Sequence, residues 1–297
     1  MKIDLHIHTN LSDGILSVEE TLSIYKNKGF SVVSITDHDT IAGDSLARSF
    51  CSLNDIEYFS GIELTTFSQG EIPDISEYAS VHFLGLGVDP LIMGENIKVV
   101  YLKRQQNLFT IAEMLKADGF SLNESNFITN GQIVDRGAIA KELVSCGYFN
   151  DKKSVFDELL NRGRYLPFCR FSNDMKTTID IIHSAGGLAI WAHPFDITHG
   201  RKISLQEYQI ESALPHLLSY GLDGLESFYL SYSENRKDYL HKLALKYNML
   251  ESLGSDFHAR NDNEYTTMQS SQDGYDISGL ISSLRKLPLN HRMGNMR

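Results

Sequence analysis

The chain has 297 residues, 42% of them hydrophobic and 22% charged, which suits a soluble globular protein of one barrel or two smaller domains. Its formal net charge of -11 opposes a phosphate backbone over most of the surface, excluding an extended DNA- or RNA-binding face but not a small anion held by metals and a few arginines. Three scattered cysteines, Cys51, Cys146 and Cys169, exclude a disulfide framework and Cys-x-x-Cys zinc sites, and the lack of a long uncharged apolar run or a secretion signal makes the cytoplasm, with no membrane partner, the expected compartment.

Short runs rich in Val, Ile and Leu, most of them followed by a stretch of helical spacing, predict successive β/α units. A strand over 2–9 leads to a helix over 18–28, and strands over 31–36, 57–66 and 79–88 follow. Between about Glu95 and Cys169 helical patterns at 99–117, 138–146 and 154–161 succeed one another without an obvious strand. They predict a helical insertion, residues 95–169, over the mouth of a main domain made of 1–94 and 170–297. Alternation then resumes: helix 175–185, strand 188–192, helix 205–219, strand 224–228, helix 234–247, strand 250–254 and helix 277–284. Seven strands with intervening helices predict an α/β protein, either a barrel or a wound sheet.

Asp4-Leu5-His6-Ile7-His8 puts both histidines on one face of the first strand, because strand side chains alternate with a period of two. His-x-His alone carries little weight, but it has company. Asp13 lies in a Ser-Asp-Gly turn, Asp37-His38-Asp39 closes the second strand, Glu63 falls late in the third and His82 within the fourth. Ala192-His193-Pro194 and Gly254-Ser255-Asp256-Phe257-His258 end two later strands. Six of the 11 histidines thus stand in or at the ends of strands, each near a carboxylate or another histidine. In a β/α barrel those ends converge on one face. Any single histidine reads equally well as a hydrogen-bonded core residue, but six spaced strand after strand do not. Imidazole and carboxylate donors suit zinc, manganese or iron, whereas calcium takes more oxygens and structural zinc favours thiolates. So many donors exceed what one tetrahedral ion takes and fit two or three divalent ions with a bridging carboxylate.

These motifs resemble those of the PHP family, the polymerase and histidinol phosphatase superfamily, over nearly the whole chain. The resemblance rests on Asp4-Leu5-His6-Ile7-His8, Thr36-Asp37-His38-Asp39, Gly61-Ile62-Glu63, Val81-His82, Ala192-His193-Pro194 and Ser255-Asp256-Phe257-His258. It implies a distorted seven-stranded β/α barrel with His6, His8, Glu63 and Asp256 around a first ion. It further implies Glu63, His82 and His193 around a second ion and Asp13, His38 and His258 around a third. Within the family the chain is most similar to small bacterial phosphoesterases acting on nucleotides, including mononucleotide and 3',5'-bisphosphate phosphatases and a 5'-to-3' exoribonuclease. Those carry Arg-x-His-Phe-Ala in a helical insertion; here Arg136 is kept and the histidine is Ala138. Where relatives read His-Pro-Gly-Arg, this chain reads His193-Pro194-Phe195-Asp196, so the phosphate-gripping arginine is replaced by an acid.

The expected reaction is hydrolysis of a small phosphate monoester, a nucleotide foremost, by hydroxide bridging paired ions, with Asp13, His38 and Glu63 serving catalysis through those ions. Arg136 is the expected phosphate contact, since a guanidinium can bond a phosphoryl group twice. Arg201, Arg164 and Arg170 are stand-ins for the missing arginine, and His199 is a candidate proton donor to the leaving group. Asp4 and Asp37 are expected to orient imidazoles through their far nitrogens. Phe228, Tyr229 and Tyr232 read either as a base-stacking group or as packing. Competing readings are an amidohydrolase, which also begins with His-x-His, a phosphatase of sugar or histidinol phosphate, and a non-catalytic metal-binding domain.

Overall fold

β1 (Lys2–Ile7), β2 (Phe30–Ile35) and β3 (Glu57–Tyr58) pair in that order as a parallel sheet in this computed structural model. The structure describes residues 1–129, 132–133, 135–169, 173–198, 202–261, 263–265 and 275–288. Parallel neighbours need crossovers, and α1 (Val18–Asn27) and α2 (Asp44–Leu53) supply them. α1 begins at a reciprocal cap, Ser17 with Glu20, and lays Val18, Leu22 and Tyr25 against Ala47 and Cys51 of α2 and Val33 and Ile35 of β2. α2 has no side-chain cap at Gly43, so its start carries no sequence signal.

The expected strand over 57–66 is two strands. The chain breaks at Phe59 and Ser60, and β4 (Gly61–Phe67) joins a different sheet, antiparallel to β5 (Ser80–Leu86). Gly61 permits this, because a Cβ there would lie 2.1 Å from Ser34 Oγ and 2.8 Å from Thr36 Cγ2.

Contacts divide the chain into two units, Met1–Ile97 with Asn173–Arg297, and Lys98–Ser172. The division falls inside α3 (Pro90–Ala117), which starts nine residues earlier than its pattern at 99 announced, at a proline suited to a first helical turn. In the second unit a short antiparallel pair, β6 (Ile128–Thr129) and β7 (Gln132–Ile133), precedes α4 (Arg136–Ser145), α5 (Lys152–Val155) and α6 (Leu166–Cys169). Two-residue strands are too short to show a period, so the stretch read as wholly helical. Ile111, Leu115, Phe127, Ile139, Leu143, Val155 and Leu160 form this unit's own core.

The first unit resumes with α7 (Met175–Ser184), capped by Asp174, then β8 (Leu188–Trp191) and the hairpin β9 (Asp196–Thr198) and β10 (Lys202–Ser204). α8 (Glu207–Ser219), β11 (Gly224–Tyr229), α9 (Glu234–Tyr247), β12 (Leu250–Gly254) and α10 (Ser278–Lys286) follow. The second sheet has the order β10-β9-β5-β8-β11-β12, with β4 on β5, and mixes parallel and antiparallel pairs. The fold is therefore α/β, but among the described residues the ladders of the first unit form a three-stranded and a seven-stranded sheet rather than one closed ring of seven. Single bridges join the two sheets, Ile7 with Phe257 and His38 with Glu63. Asp256 N–H donates to His6 O at 3.0 Å and Asp39 N–H to Glu63 O at 2.8 Å, which draws the ends of β1, β2 and β12 towards β4. Those ends carry the histidine motifs.

Candidate metal centre

His6 and His8 project from one face of β1, as the period of two requires, with their Nε2 atoms 3.1 Å apart. Glu63, fully buried in β4, is the point on which the imidazoles converge. Its Oε2 lies 3.3 Å from His6 Nε2, 3.1 Å from His8 Nε2 and 3.1 Å from His38 Nδ1. Its Oε1 lies 2.9 Å from His82 Nδ1 and 3.1 Å from His193 Nε2. Asp256 comes from the turn after β12, where its φ of 56° aims Oδ1 at His8 Nε2, 3.1 Å away, and His6 Nε2, 3.4 Å away. Asp13 Oδ1 faces His258 Nε2 at 3.0 Å, His8 Nδ1 at 3.7 Å and His38 Nε2 at 3.9 Å.

Nine side chains spread from residue 6 to residue 258 thus meet in one place: His6, His8, Asp13, His38, Glu63, His82, His193, Asp256 and His258. Donors of eight of them fall into three overlapping sets with mutual distances within 4.8 Å: His6, His8, Glu63 and Asp256; His38, Glu63 and His82; and His8, Asp13, His38 and His258. The ninth, His193, adjoins the second set through Glu63 Oε1, 3.1 Å from its Nε2. Buried polar atoms normally pair. Here His38 Nδ1, His82 Nδ1 and Glu63 Oε2 are buried and form no hydrogen bond among the described residues, although each has a counter-group within 3.1 Å. Donors that crowd a common point without pairing fit cation ligands, and their nitrogen and oxygen chemistry fits zinc, manganese or iron.

The electrostatics agree. Burial alone would raise the Glu63 carboxyl, but His38, His82 and His6 hold it well below its usual range. Asp256 is likewise held down against burial, by His6 and His8. Burial opposes charge on His8 and His193 too, yet Asp256 and Glu63 raise His8 to about 9, and Glu63 raises His193 to about 9. His38 goes the other way, lowered to about 4 by burial and by the neighbouring His8 and His82. Its ring is neutral at neutral pH, the form that can ligate.

Two expectations are corrected. Asp4 spends its carboxylate elsewhere: among the described residues it accepts from Tyr25 Oη at 2.8 Å, Ser255 Oγ at 2.6 Å and the backbone N–H groups of Ser255 and His6. Burial raises its carboxyl to about 6. Asp37 likewise holds the Thr9 backbone and hydroxyl at 2.7 and 2.6 Å and Ser12 Oγ at 2.6 Å, bracing the turn that carries Asp13. The orienting contacts come instead from Glu226 and Ser80, which carried no expectation in the sequence, and from Tyr229, which was expected to stack on a base or to pack. Glu226 Oε1 lies 2.9 Å from His6 Nδ1, Ser80 Oγ lies 3.2 Å from His82 Nε2, and Tyr229 donates its hydroxyl to Asp256 Oδ2 at 3.0 Å. Arg260 bonds Asp13 Oδ2. A lone acid in the buried strand Gly-Leu-Glu-Ser-Phe-Tyr was the one available signal for Glu226.

His199, Arg201 and Arg170 lie outside the described residues. Arg136 opens α4 in the second unit with its guanidinium 5.3 Å from the Phe156 ring centre, and Arg164 pairs with Asp118. Asp196, standing where an arginine was expected, pairs with Lys202 at 2.6 Å and approaches Arg236 at 4.0 Å. Phe228, Tyr229 and Tyr232 are all buried among protein side chains.

A model of the PHP domain family matches residues 4–283 of the chain. The chain is 32% identical over 264 residues to the 5'-3' exoribonuclease Rnm of Escherichia coli strain K12, with 86% of this chain and 84% of that protein covered. It is 28% identical over 265 residues to a 3',5'-nucleoside bisphosphate phosphatase of Chromobacterium violaceum, covering 86% and 87%. A solved structure of an amidohydrolase from Chromobacterium violaceum, with bound sulfate and no metal, aligns with a TM-score of 0.57 at 26% identity over 88% of this chain and 89% of that one. No helix among the described residues is long and apolar enough to cross a membrane.

Proposed function

This chain belongs to the PHP domain family, and from that premise we propose that it is a metal-dependent phosphoester hydrolase whose substrates are small nucleotide phosphate monoesters, a mononucleotide or a 3',5'-bisphosphate. The observation that carries this reading is the meeting of five imidazoles on the two oxygens of Glu63. His6, His8, Glu63 and Asp256 would hold one divalent ion, and Glu63 with His82 and His193 a second. Asp13, His38 and His258 would hold a third. Bound there, such ions would neutralise phosphate oxygens and lower the pKa of an attacking water. The chain's own groups hold that constellation open: Arg260 turns Asp13 Oδ1 towards the imidazoles, and Tyr229 does the same for Asp256 Oδ1. Preference for a nucleotide draws on the activities for which the two relatives are named, both of which cleave phosphoesters of nucleotides or RNA.

The deciding assay is phosphate release from mononucleotides, 3',5'-bisphosphates, short oligonucleotides, sugar phosphates and histidinol phosphate, with manganese, zinc and iron tested separately. The bisphosphate or mononucleotide is expected to be cleaved fastest. Silence across the panel with each metal, or turnover of amides instead, would sink the proposal.

Metal binding should also strengthen with pH. In the metal-free protein His8 and His193 carry protons up to about 9, and an ion must displace them. Each displaced proton makes affinity rise about tenfold per pH unit below that value. The same raised values stabilise the metal-free fold fully below 6.5, and that contribution is lost as pH rises through 9. The increase in Tm on adding manganese is therefore expected to be larger at pH 8.5 than at pH 6.5. Calorimetry showing a pH-independent increase would contradict these ligand assignments.

A further inference from the structure

The Glu226 carboxylate, fully buried in β11, divides its two oxygens between two different donors. Oε1 accepts from His6 Nδ1 at 2.9 Å, and Oε2 accepts from the His193 backbone N–H at 2.8 Å. The first contact keeps a proton on Nδ1 and turns His6 Nε2 towards Glu63 and Asp256. The second anchors His193 in a left-handed turn, φ 28°, from which its Nε2 reaches Glu63 Oε1. Gly254 makes room for the arrangement: a Cβ there would lie 2.3 Å from His6 Cβ and 2.4 Å from Glu226 Oε1. A buried carboxylate is costly unless its oxygens are bonded, and these two bonds reach residues delivered by different strands, β1 and β8.

We propose that Glu226 is a positioning residue that locks His6 and the His193 turn to one another, so that the two ion clusters sharing Glu63 are assembled together rather than independently. The inference rests on the metal-centre reading above. Removing Glu226 should loosen two clusters at once without removing a donor from either, whereas removing His193 should empty only the cluster it belongs to, since His6 keeps its bond to Glu226.

Manganese titration of metal-stripped protein, with anomalous scattering from loaded crystals to read each cluster's occupancy, tests this. Glu226→Ala is expected to lower occupancy at the His6/His8/Glu63/Asp256 and the Glu63/His82/His193 clusters, weakening manganese binding by about 10- to 100-fold, while the Asp13/His38/His258 cluster stays filled. His193→Ala is expected to affect the second of these alone. Loss confined to one cluster in Glu226→Ala, or none, overturns the coupling. Should Glu226→Ala fail to fold by circular dichroism, Glu226→Gln decides. Its single carbonyl oxygen can accept from only one of the two donors while its amide N–H faces the other, which breaks the lock between them, so reduced occupancy in both clusters supports the proposal, and loss confined to one cluster or wild-type occupancy in both overturns it. Wild-type protein that binds no manganese would overturn the metal-centre reading itself, a result distinct from a loaded wild type matched by its variants.

Discussion

Glu63→Ala is expected to abolish phosphate release and to strip ions from two clusters, because Glu63 faces five imidazoles and belongs to two of the three donor sets. A loss of activity beyond about 10³-fold, roughly 4 kcal/mol of barrier, is the expected scale for removing a bridging ligand. The variant should also be weaker without any metal. Taking away one partner of a buried ion pair leaves the other uncompensated and costs roughly 3–5 kcal/mol. The sign of the pH dependence follows from the shifts. Glu63 is held below its usual 4.5, so its contribution is present above that pH and is lost on acidification. His8 and His193, raised from 6.5 to about 9, contribute fully below 6.5 and lose that contribution as pH rises through 9. The destabilisation of the metal-free variant is therefore expected to be largest near pH 5–6 and to shrink as pH rises through 9, above which the imidazoles are neutral with or without Glu63. Thermal melts of stripped proteins at pH 5.5 and 9 check this. An equal difference at both values would mean that Glu63 is not the counter-charge of those rings.

The histidine motifs could be read from the chain because they obey a local rule. Strand side chains alternate, and the residues just beyond strand ends in an α/β fold gather on one side. His6, His8, His38, His193 and His258 therefore announced themselves one strand at a time. The partners of these rings follow no local rule. Asp4 shares the face of His6 and His8, which made it look like an orienting group, yet its carboxylate is taken up by Tyr25 and Ser255. Glu226 is 220 residues from His6 along the chain and shows nothing in sequence beyond being an acid in an apolar strand. The sheet topology failed to appear for a similar reason. The run over 57–66 has the composition of one strand, and only the closeness of Gly61 to Ser34 and Thr36, a contact between distant segments, shows why it parts into β3 and β4 and changes sheets.

Asp256→Asn isolates the second large effect, because it removes charge while leaving the backbone alone. Asp256 sits at φ 56°, a conformation that Asn tolerates and Ala does not, so Asp256→Ala would add about 1–2 kcal/mol of backbone strain unrelated to any ion. In the asparagine variant Tyr229 can still donate its hydroxyl to a side-chain oxygen, but His6 and His8 lose an anion 3.4 and 3.1 Å from their Nε2 atoms. Activity is expected to fall at least about 10²-fold, roughly 2.7 kcal/mol of barrier, and the first cluster should lose its ion. Asp256 is held below its usual 3.8, so the stability it lends the metal-free fold is present at neutral pH and is lost only under acid conditions. The stripped variant should thus melt below the stripped wild type at pH 7, with the two curves drawing together in strong acid. Metal analysis, phosphate release and melting on the same preparation separate the possibilities. Full metal content with wild-type turnover in Asp256→Asn would remove Asp256 from the ligand set, and normal turnover with a lowered Tm would reduce it to a structural counter-charge for His6 and His8.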